Sequence, residues 1–544
     1  MNDTAFLPCW NPATGEQFDQ VAMSTPEEVQ QARQELRTAF KVWGQKPVQE
    51  RVRVLTKFQE VMIDAADEIT AVLCQDCGKP RQDAMAEIFV TVDMLHNYLK
   101  HAARWLRRQK IPSGLYIFKR YYVKPKPFGV VAVISPWNYP FALAMPPVLS
   151  ALLAGNCVIL KPSEVTGATG LLIERLLQRV PELAPFVRVL HGDASVGAEL
   201  VASKPDFIFL TGSTATGKKV LQAAADNLIP VACELGGKDA MIVLDDADIA
   251  QAAYWGVWGA FFNAGQTCMA IERVYVVERV YEEYVRRAVA ETRKLKVGFS
   301  SDLKSPYYLG PITDPRQIQT IEQHLEDALA KGACILTGGK RQDMFFEPTV
   351  LVDVDHSMLV MQEETFGPIM PIMKVKSEAE AIHLANDNDY GLGVSIWSND
   401  LRRAQWVAGQ IETGTVQIND SIAHFAVPLL PFGGVKQSGY GRTHGREGLL
   451  QFTRSSAFAV GRPPISWDLA TLGRKPGHYQ LLSTMLHLVF GVTPRQRLEP
   501  VIEVLEKQAK PIQGRGVGAG MVAGIGVLGA LASLALIGRR RHNR

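Results

Sequence analysis

Short apolar runs alternate with amphipathic stretches along most of this chain. Residues 26–41 and 48–77 carry apolar side chains at three- and four-residue spacing, which predicts helices, and residues 81–109 continue this pattern. From residue 129 onward, buried β runs near 129–134, 157–161, 186–190 and 207–210 alternate with helical stretches near 146–153, 167–178 and 217–226. Strand, helix and strand at this spacing predict a doubly wound parallel α/β sheet.

A second α/β half follows, and the composition agrees with more than one domain. Strands are predicted near 240–244, 274–277 and 394–397, and helices near 248–262, 281–295 and 378–386. A chain of 544 residues is too long for one core. The net charge of +3 gives no reason to expect a nucleic-acid partner. Seven scattered cysteines make a disulfide framework improbable and favour a reducing compartment.

Three polar residues stand in settings that suit covalent catalysis. Cys268 follows a glycine-containing turn and precedes an apolar β-rich run, where a thiol is either buried filler or a nucleophile. Glu234 stands among apolar and glycine neighbours, so desolvation would raise its pKa and suit it as a general base. Asn138 follows a β run and offers an amide N–H to an oxyanion. Together they make a complete set for covalent catalysis.

These stretches resemble the NAD(P)-dependent aldehyde dehydrogenase superfamily. The resemblance runs from about residue 11 to about residue 453 and includes four further motifs: Lys161-Pro162-Ser163-Glu164, Thr211-Gly212-Ser213-Thr214, Glu363-Glu364-Thr365-Phe366-Gly367-Pro368 and Pro431-Phe432-Gly433-Gly434. It implies an α/β aldehyde dehydrogenase-like fold with a Rossmann-type cofactor domain, an α/β catalytic domain and a small oligomerisation sheet. The expected division is a cofactor domain at 1–233 with a strand excursion near 115–127, a catalytic domain at 234–428, a return segment with an oligomerisation strand at 429–460, and a linker at 461–515. A homodimer or homotetramer is expected.

The resemblance also implies which residues hold the cofactor and the substrate. The residues expected to bind NAD lie at strand ends and turns: Ser135, Trp137, Lys161, Ser163, Glu164, Gly212, Ser213, Gly217, Leu235, Gly236, Glu364 and Phe366. A carboxylate at Glu164 accepts from a ribose 2′-hydroxyl and repels a 2′-phosphate, which favours NAD and leaves NADP as the alternative. The residues expected to line the substrate tunnel are Tyr139, Asp420, His424 and Phe425. The sequence contains no cluster with metal-ligand spacing, so we predict no metal.

The implied reaction is oxidation of an aldehyde to its acid. Cys268 attacks the aldehyde carbon, Asn138 and the Cys268 N–H hold the oxyanion, hydride leaves to nicotinamide, and water activated by Glu234 hydrolyses the thioester. An apolar substrate is expected, either medium- or long-chain or aromatic. The alternatives are a semialdehyde dehydrogenase with a small polar substrate, a coenzyme-A-acylating enzyme, and a catalytically silent cofactor-binding protein. The presence of Glu234 counts against a coenzyme-A-acylating enzyme. The presence of Cys268, Glu234 and Asn138 together counts against a catalytically silent protein.

Residues 516–538 differ from the rest of the chain. The 21 residues 517–537 carry no charge and lie between Arg515 and Arg539-Arg540-Arg541. As a helix they would be about 31 Å long, which matches a hydrocarbon core of about 30 Å. The sequence therefore predicts a C-terminal transmembrane helix that anchors the enzyme to a membrane, with the catalytic part in the cytosol.

Overall fold

The structure is a computed structural model that describes residues 5–114, 119–300, 302, 305–461 and 478–508. Within these residues the strands are β1 (Phe6–Trp10), β2 (Gln17–Ala22), β3 (Gln109–Ile111), β4 (Lys119–Pro127), β5 (Val130–Ile134), β6 (Cys157–Lys161), β7 (Val187–Val189), β8 (Phe207–Thr211), β9 (Val231–Glu234), β10 (Asp239–Val243), β11 (Ile271–Val277), β12 (Cys334–Thr337), β13 (Arg341–Gln342), β14 (Phe345–Phe346), β15 (Thr349–Val352), β16 (Ile369–Val375), β17 (Tyr390–Gly391), β18 (Gly393–Trp397), β19 (Thr415–Ile418), β20 (Val435–Lys436), β21 (Gly439–Tyr440) and β22 (Thr453–Gly461). The helices are α1 (Pro26–Trp43), α2 (Val48–Asp64), α3 (Ala66–Cys77), α4 (Arg81–Trp105), α5 (Met145–Ala154), α6 (Gly167–Gln178), α7 (Ala194–Ala202), α8 (Thr214–Ala225), α9 (Ile249–Phe261), α10 (Glu278–Thr292), α11 (Pro315–Ala330), α12 (Leu359–Gln362), α13 (Glu378–Asn386), α14 (Leu401–Ala408), α15 (Gly445–Leu450), α16 (His478–Phe490) and α17 (Pro494–Gln508).

The described residues belong to two compact units. Those of Met1–Pro112 and Tyr121–Phe458 form the larger unit, and those of Ser113–Arg120 and Ala459–Arg544 form the smaller one. Local sequence signals set several helix starts in the larger unit. At α1, for example, the Thr25 hydroxyl accepts from the Glu28 N–H, and the Glu28 carboxylate accepts from the Thr25 N–H. This reciprocal cap satisfies two N–H groups that the helix leaves free.

Two sheets form the larger unit's two hydrophobic cores. The first has the strand order β21-β9-β8-β5-β6-β7, with β9 to β7 mutually parallel and β21 antiparallel at one edge. The second has the order β12-β15-β16-β11-β10-β18-β19 and is parallel except for β12. The central strands β5, β6 and β10 are almost wholly buried and apolar, as expected where helices cover both faces. The predicted parallel α/β architecture is confirmed.

The first sheet brings the predicted motifs to one edge. Strands β5, β6, β8 and β9 are parallel neighbours, and each predicted motif begins at or just after the carboxyl end of one of them. Ligands of open α/β sheets bind in the crevice outside these ends. The turn after β8 opens α8, with the Ser213 hydroxyl accepting from the Thr216 N–H at 3.2 Å.

Three features differ from the sequence prediction or add to it: the end of α4, a three-stranded sheet, and the helices α16 and α17. The helix predicted to run to residue 109 ends at Trp105, because Gln109 begins a strand that pairs with Val123 of β4. The three-stranded sheet β22-β4-β3 contains this pairing, and the Tyr122 and Phe458 rings stack on it at 4.7 Å. In the smaller unit, α16 and α17 follow as a helical pair.

The predicted membrane segment at residues 516–538 lies outside the described residues. Across the residues that the structure does describe, no helix combines the length and the apolarity needed to cross a membrane.

Candidate active site

Cys268 lies on a tight turn between α9 and β11. Asn263 and the two residues after it have φ values of 52°, 56° and 72°, a left-handed conformation that strains non-glycine residues. The Gln266 side chain supports this turn. Its Oε1 accepts from the Thr313 N–H at 2.8 Å and its Nε2 donates to the Asn263 carbonyl at 3.0 Å. The turn presents Cys268 partly exposed to its surroundings.

Glu234 ends β9 and lies within electrostatic reach of Cys268. It is 7% exposed, and its Oε1 has no hydrogen-bond partner among the described residues. Burial raises the pKa of the Glu234 carboxyl to about 8, and the charge of Arg442 lowers it only in part. Burial also raises the pKa of the Cys268 thiol well above its ordinary value, and the Glu234 carboxylate adds to that rise. Both groups therefore favour their protonated forms, and each gains reactivity by losing a proton.

The chain segment after Glu234 touches the cysteine turn directly. A Cβ atom at Gly237 would lie 2.2 Å from the Cys268 carbonyl oxygen, closer than real contacts allow. Only glycine therefore fits at 237 without displacing the cysteine turn.

The Asn138 side chain contacts the turn that precedes Cys268. Its Nδ2 donates to the Gln266 carbonyl oxygen at 3.0 Å, and since an amide carries two N–H groups, one remains for another acceptor. The next residue, Tyr139, contributes a hydroxyl that lies 2.7 Å from the Thr267 Oγ1. Asn138 and Tyr139 are thus both fixed against the residues that precede Cys268.

Residues 135–144, which join β5 to α5, are called here the Asn138 loop. A buried ion pair between Lys79 and Glu87, called here the Asn138 clamp, holds this loop. Both side chains are almost fully buried, with Nζ and Oε1 2.5 Å apart. Lys79 Nζ donates to the Asn138 carbonyl at 2.8 Å. Glu87 Oε2 accepts the N–H groups of Phe141 and Ala142 at 3.1 and 3.0 Å. The clamp thereby fixes the backbone on both sides of Tyr139.

Residues 363–368, which join α12 to β16, form the loop that contains Glu364. A second buried pair, Lys238 with Glu272, holds this loop and is called here the Glu364 clamp. The Glu272 carboxylate accepts from the Lys238 ammonium at 2.6 Å and from the N–H groups of Thr365 and Phe366 at 2.7 and 2.8 Å. Phe366 has a φ of 49°, so the clamp holds a strained residue. Glu364 Oε1 in turn accepts the Gly237 N–H at 2.9 Å. The two sequence motifs therefore meet beside Cys268.

Apolar and aromatic side chains surround the thiol. One cluster joins Cys268 with side chains from five segments: Trp258, Phe262, Met269, Leu392, Ile422, Phe425 and Phe432. The Tyr139 and Phe262 rings stack with centroids 6.4 Å apart. These side chains give an apolar group contact surface beside the thiol, and the Glu234 and Glu364 carboxylates lie within electrostatic reach of it.

The predicted cofactor residues form a second neighbourhood at the strand ends. Lys161 is buried, and its Nζ lies 3.4 Å from Glu164 Oε2, while Arg316 lies 3.8 Å from Glu164 Oε1. The Ser135 hydroxyl is buried without a partner among the described residues, as a group awaiting a ligand would be. The Trp137 ring meets the Phe366 ring edge-on at 5.5 Å.

These features fit a dinucleotide. The α8 N-terminus suits a pyrophosphate, the Glu164 and Glu364 carboxylates suit ribose hydroxyls, and the orphan Ser135 hydroxyl offers one more polar contact. The remaining predicted cofactor residues line the same turns: Ser163 caps the turn at Glu164, and Gly217 packs against Leu235. Leu235 and Gly236 join Glu234 to Gly237.

Not every predicted tunnel residue lies at the thiol. Phe425 belongs to the cluster at Cys268, whereas Asp420 Oδ1 accepts the Ser421 N–H at 2.7 Å. His424 is buried beside Gln417 and Phe432, and burial lowers its pKa to about 4. Asp420 and His424 therefore make their side-chain hydrogen bonds with Ser421 and Gln417, whereas Phe425 belongs to the cluster at Cys268 and Tyr139 stacks on Phe262 of that cluster.

Sequence reasoning missed the two clamps and most of the aromatic side chains near the thiol. Lys79 and Glu87 carry no local signal, because they act on a loop more than fifty residues away. The aromatic residues of α9 at positions 254, 255, 258 and 262 do carry one, since this spacing places them on one helix face.

Comparisons with known proteins agree with this geometry. Residues 1–458 match the model of the aldehyde dehydrogenase family. The chain is 43% identical over 484 residues to a 4,4'-diapolycopene aldehyde oxidase from Methylomonas sp, covering 88% of this chain and 91% of that protein. It is 35% identical over 475 residues to a putative succinate-semialdehyde dehydrogenase [NADP(+)] from Mycobacterium ulcerans (strain Agy99), covering 84% of this chain and 91% of that protein.

A solved structure shares the fold. A betaine aldehyde dehydrogenase from Staphylococcus aureus, in complex with NAD+, superposes with a TM-score of 0.80 at 31% identity, covering 85% of this chain and 92% of that one. The predicted family, the enzyme class and the use of NAD, with NADP as an alternative, are confirmed. The chain therefore belongs to the aldehyde dehydrogenase family and is an NAD(P)-dependent enzyme that oxidises aldehydes.

Proposed function

We propose that the enzyme oxidises elongated apolar aldehydes to carboxylic acids, with Cys268 as nucleophile and Glu234 as base. The observation that carries this substrate class is the packing of aromatic and aliphatic side chains beside Cys268. Each buried methylene group of a substrate chain contributes about 0.8 kcal/mol to binding in such surroundings. The 43% identical relative named for 4,4'-diapolycopene aldehyde supports the same class.

In the proposed chemistry the Cys268 thiolate attacks the aldehyde carbon and forms a thiohemiacetal. The developing oxyanion accepts from the free N–H of the Asn138 amide and from the Cys268 backbone N–H. One such donor is worth about 3 to 4 kcal/mol of barrier. Bound NAD supplies the hydride acceptor that turns the adduct into a thioester.

Glu234 completes the reaction in this proposal. Its carboxylate takes a proton from water, and the resulting hydroxide attacks the thioester carbonyl and releases the acid and the Cys268 thiol. A pKa of about 8 matches a group that must both accept and return a proton near neutral pH. Hydrolysis rather than transfer to coenzyme A follows from the presence of this base.

The cofactor residues divide by the part of NAD that they would hold. Lys161, Ser163 and Glu164 would hold the adenosine ribose, and Gly212, Ser213 and Gly217 the pyrophosphate at the α8 N-terminus. Glu364 would hold the nicotinamide ribose, with Phe366, Trp137, Ser135, Leu235 and Gly236 around the ring. We infer a preference for NAD over NADP, because the Glu164 carboxylate repels a 2′-phosphate.

A semialdehyde is the second candidate substrate, favoured by the 35% identical relative named for succinate semialdehyde. Its distal carboxylate would need a cation near the thiol. Arg442, the arginine whose charge acts on Glu234, instead donates to the Gly434 and Gly441 carbonyls at 2.9 and 2.6 Å. The geometry therefore favours the apolar substrate.

The test is NADH release with hexanal, hexadecanal and succinate semialdehyde, each with and without coenzyme A. We expect hexadecanal to give the highest kcat/KM and coenzyme A to have no effect. Higher kcat/KM with succinate semialdehyde would overturn the apolar assignment, and dependence on coenzyme A would overturn the role of Glu234.

We further propose that residues 516–538 anchor the enzyme to a membrane. Their uncharged length and the flanking arginines support this, and an anchor suits a substrate that partitions into lipid. Fractionation of the full chain beside a form ending at Gln513 tests it. Full-length protein in the soluble fraction without detergent would end the anchor proposal.

A further inference from the structure

We propose that Tyr254 and Trp255 form an outer subsite that binds the distal part of an elongated apolar aldehyde. This subsite lies beyond the apolar cluster at Cys268 and sets the chain length that the enzyme prefers. The inference rests on the proposed function, since it assigns the far end of the same substrate.

The subsite is the outer end of a continuous aromatic row, made of Tyr254, Trp255 and Trp258 on α9 and of Phe262 directly after its end. Successive ring centroids lie 5.5, 5.3 and 5.3 Å apart, with interplanar angles of 89°, 90° and 43°. The first two contacts are edge-to-face and the third is tilted, and such contacts favour a defined placement of each ring against the next. The inner end of the row belongs to the cluster that includes Cys268.

The row reverses the usual distribution of side chains on a helix. The buried face of α9 is built largely from small residues: Ala252, Ala253, Gly256, Gly259 and Ala260. The four aromatic residues are instead partly or mostly exposed, with Tyr254 at 52%. Large apolar side chains normally occupy the core. A row of them left open, and continuous with the nucleophile's surroundings, is what the wall of a substrate groove requires.

The length of the row determines which substrates reach its outer end. Eight residues separate Tyr254 from Phe262, which is about 12 Å along the helix axis. A short aldehyde that reacts at Cys268 contacts only Phe262 and its neighbours. A long chain extends along Trp258 to the outer pair and gains contact area there. The outer pair therefore discriminates by length and leaves the reacting atoms untouched.

The test is a chain-length series of straight aldehydes from propanal to hexadecanal, with a linear conjugated polyene aldehyde added, on the full-length enzyme. The variants are Tyr254→Ser, Trp255→Leu and their combination. Controls with the same substitutions are Tyr308→Ser and Trp406→Leu, which remove exposed rings elsewhere, at 64% and 54% exposure. Light scattering on each variant reports its oligomeric state.

We expect the double variant to lose about fivefold to tenfold in kcat/KM for hexadecanal and the polyene aldehyde, through KM. Hexanal kinetics should stay within about twofold of the parent enzyme. Both control variants should behave as the parent at every chain length.

The other outcomes separate the inference from the proposed function. If the parent enzyme prefers long aldehydes and the double variant keeps that preference, the outer subsite is wrong and the proposed function stands. If the parent shows no preference for long aldehydes, the proposed substrate class is wrong and the subsite falls with it. Equal losses for hexanal and hexadecanal, or a changed oligomeric state, would assign the row to packing or to an interface and overturn the subsite.

Discussion

The Asn138 clamp and the Glu364 clamp hold two different loops through the same arrangement of a buried lysine and a buried glutamate. In each, a buried glutamate accepts two backbone N–H groups of a loop, and a buried lysine reaches an oxygen of that loop. In each, the loop itself carries a candidate functional side chain. The loops differ in strain, because Phe366 has a positive φ and no residue of the Asn138 loop does.

The two lysines also differ electrostatically. Burial alone lowers the pKa of Lys79, but Glu87, then Cys77 and then Asp83 outweigh it and hold the pKa above its ordinary value. Burial lowers the pKa of Lys238 more than Glu272 raises it, and the nearby charge of Arg273 lowers it further. In the Asn138 clamp the surroundings favour the charged lysine and the loop is unstrained, whereas in the Glu364 clamp they disfavour the charged lysine and the loop is strained. We infer that the first fixes the chemistry and the second fixes the cofactor.

The largest effect should come from breaking the Asn138 clamp. Lys79→Met removes the donor to the Asn138 carbonyl and leaves Glu87 without its charge partner. We expect kcat to fall by about 100-fold, the scale of a displaced oxyanion donor, with NAD affinity unchanged. Steady-state kinetics and NAD titration by fluorescence measure both.

Two controls separate positioning from folding in that experiment. Lys57→Met breaks the exposed pair with Glu182 and should leave kcat unchanged. The double variant Lys79→Met/Glu87→Gln removes both charges and should recover thermal stability while kcat stays low. Recovery of kcat along with stability would contradict a positioning role.

The pH dependence should belong to Glu234 and not to Glu364, although burial raises the pKa of each to about 8. A carboxyl acts as a base only when deprotonated, so the rate of thioester hydrolysis, a step in which Cys268 is already acylated, should rise about tenfold per pH unit below 8 and level off above it. Glu234→Gln should abolish this rise, and Glu364→Gln should preserve it while raising the KM for NAD. A pH profile that survives Glu234→Gln would assign the titration to another group.

Breaking the Glu364 clamp should affect the cofactor side alone. Lys238→Met leaves Glu272 without its charge partner and removes the donor to Thr365 Oγ1, so that only the two N–H bonds to Glu272 restrain the loop with the strained Phe366. We expect the KM for NAD to rise about tenfold, with kcat at saturating NAD within about twofold of the parent. If Lys238→Met and Lys79→Met change the same parameter, the division of labour between the clamps is wrong.

The smallest effect concerns Arg316, which approaches the Glu164 carboxylate at 3.8 Å and partly offsets its charge. Arg316 is well exposed, so its removal should matter little for stability. Arg316→Ala should widen the preference for NAD over NADP by about twofold to fivefold. Kinetics with both cofactors test this, and an unchanged ratio would remove Arg316 from cofactor selection.

The sequence predicted what depends on local pattern. Apolar strand runs and helical spacing located the parallel sheets, and the turn at Gly212 was correctly placed between a strand and a helix. The clamps could not be predicted, because Lys79 and Glu87 meet Asn138 only through the fold. The two-residue strand Gly439–Tyr440, which closes one edge of the first sheet, was also missed since it is too short to leave a pattern.

The roles of Cys268 and Glu234 can be tested most directly in a single pre-steady-state experiment. Glu234→Gln enzyme is mixed with NAD and hexadecanal, NADH fluorescence is followed, and the quenched protein is analysed by mass spectrometry. We predict a burst of about one NADH per active site, a slow steady state, and an acyl adduct on Cys268. Normal steady-state turnover, or a burst with no adduct on Cys268, would contradict the assignment of these two residues.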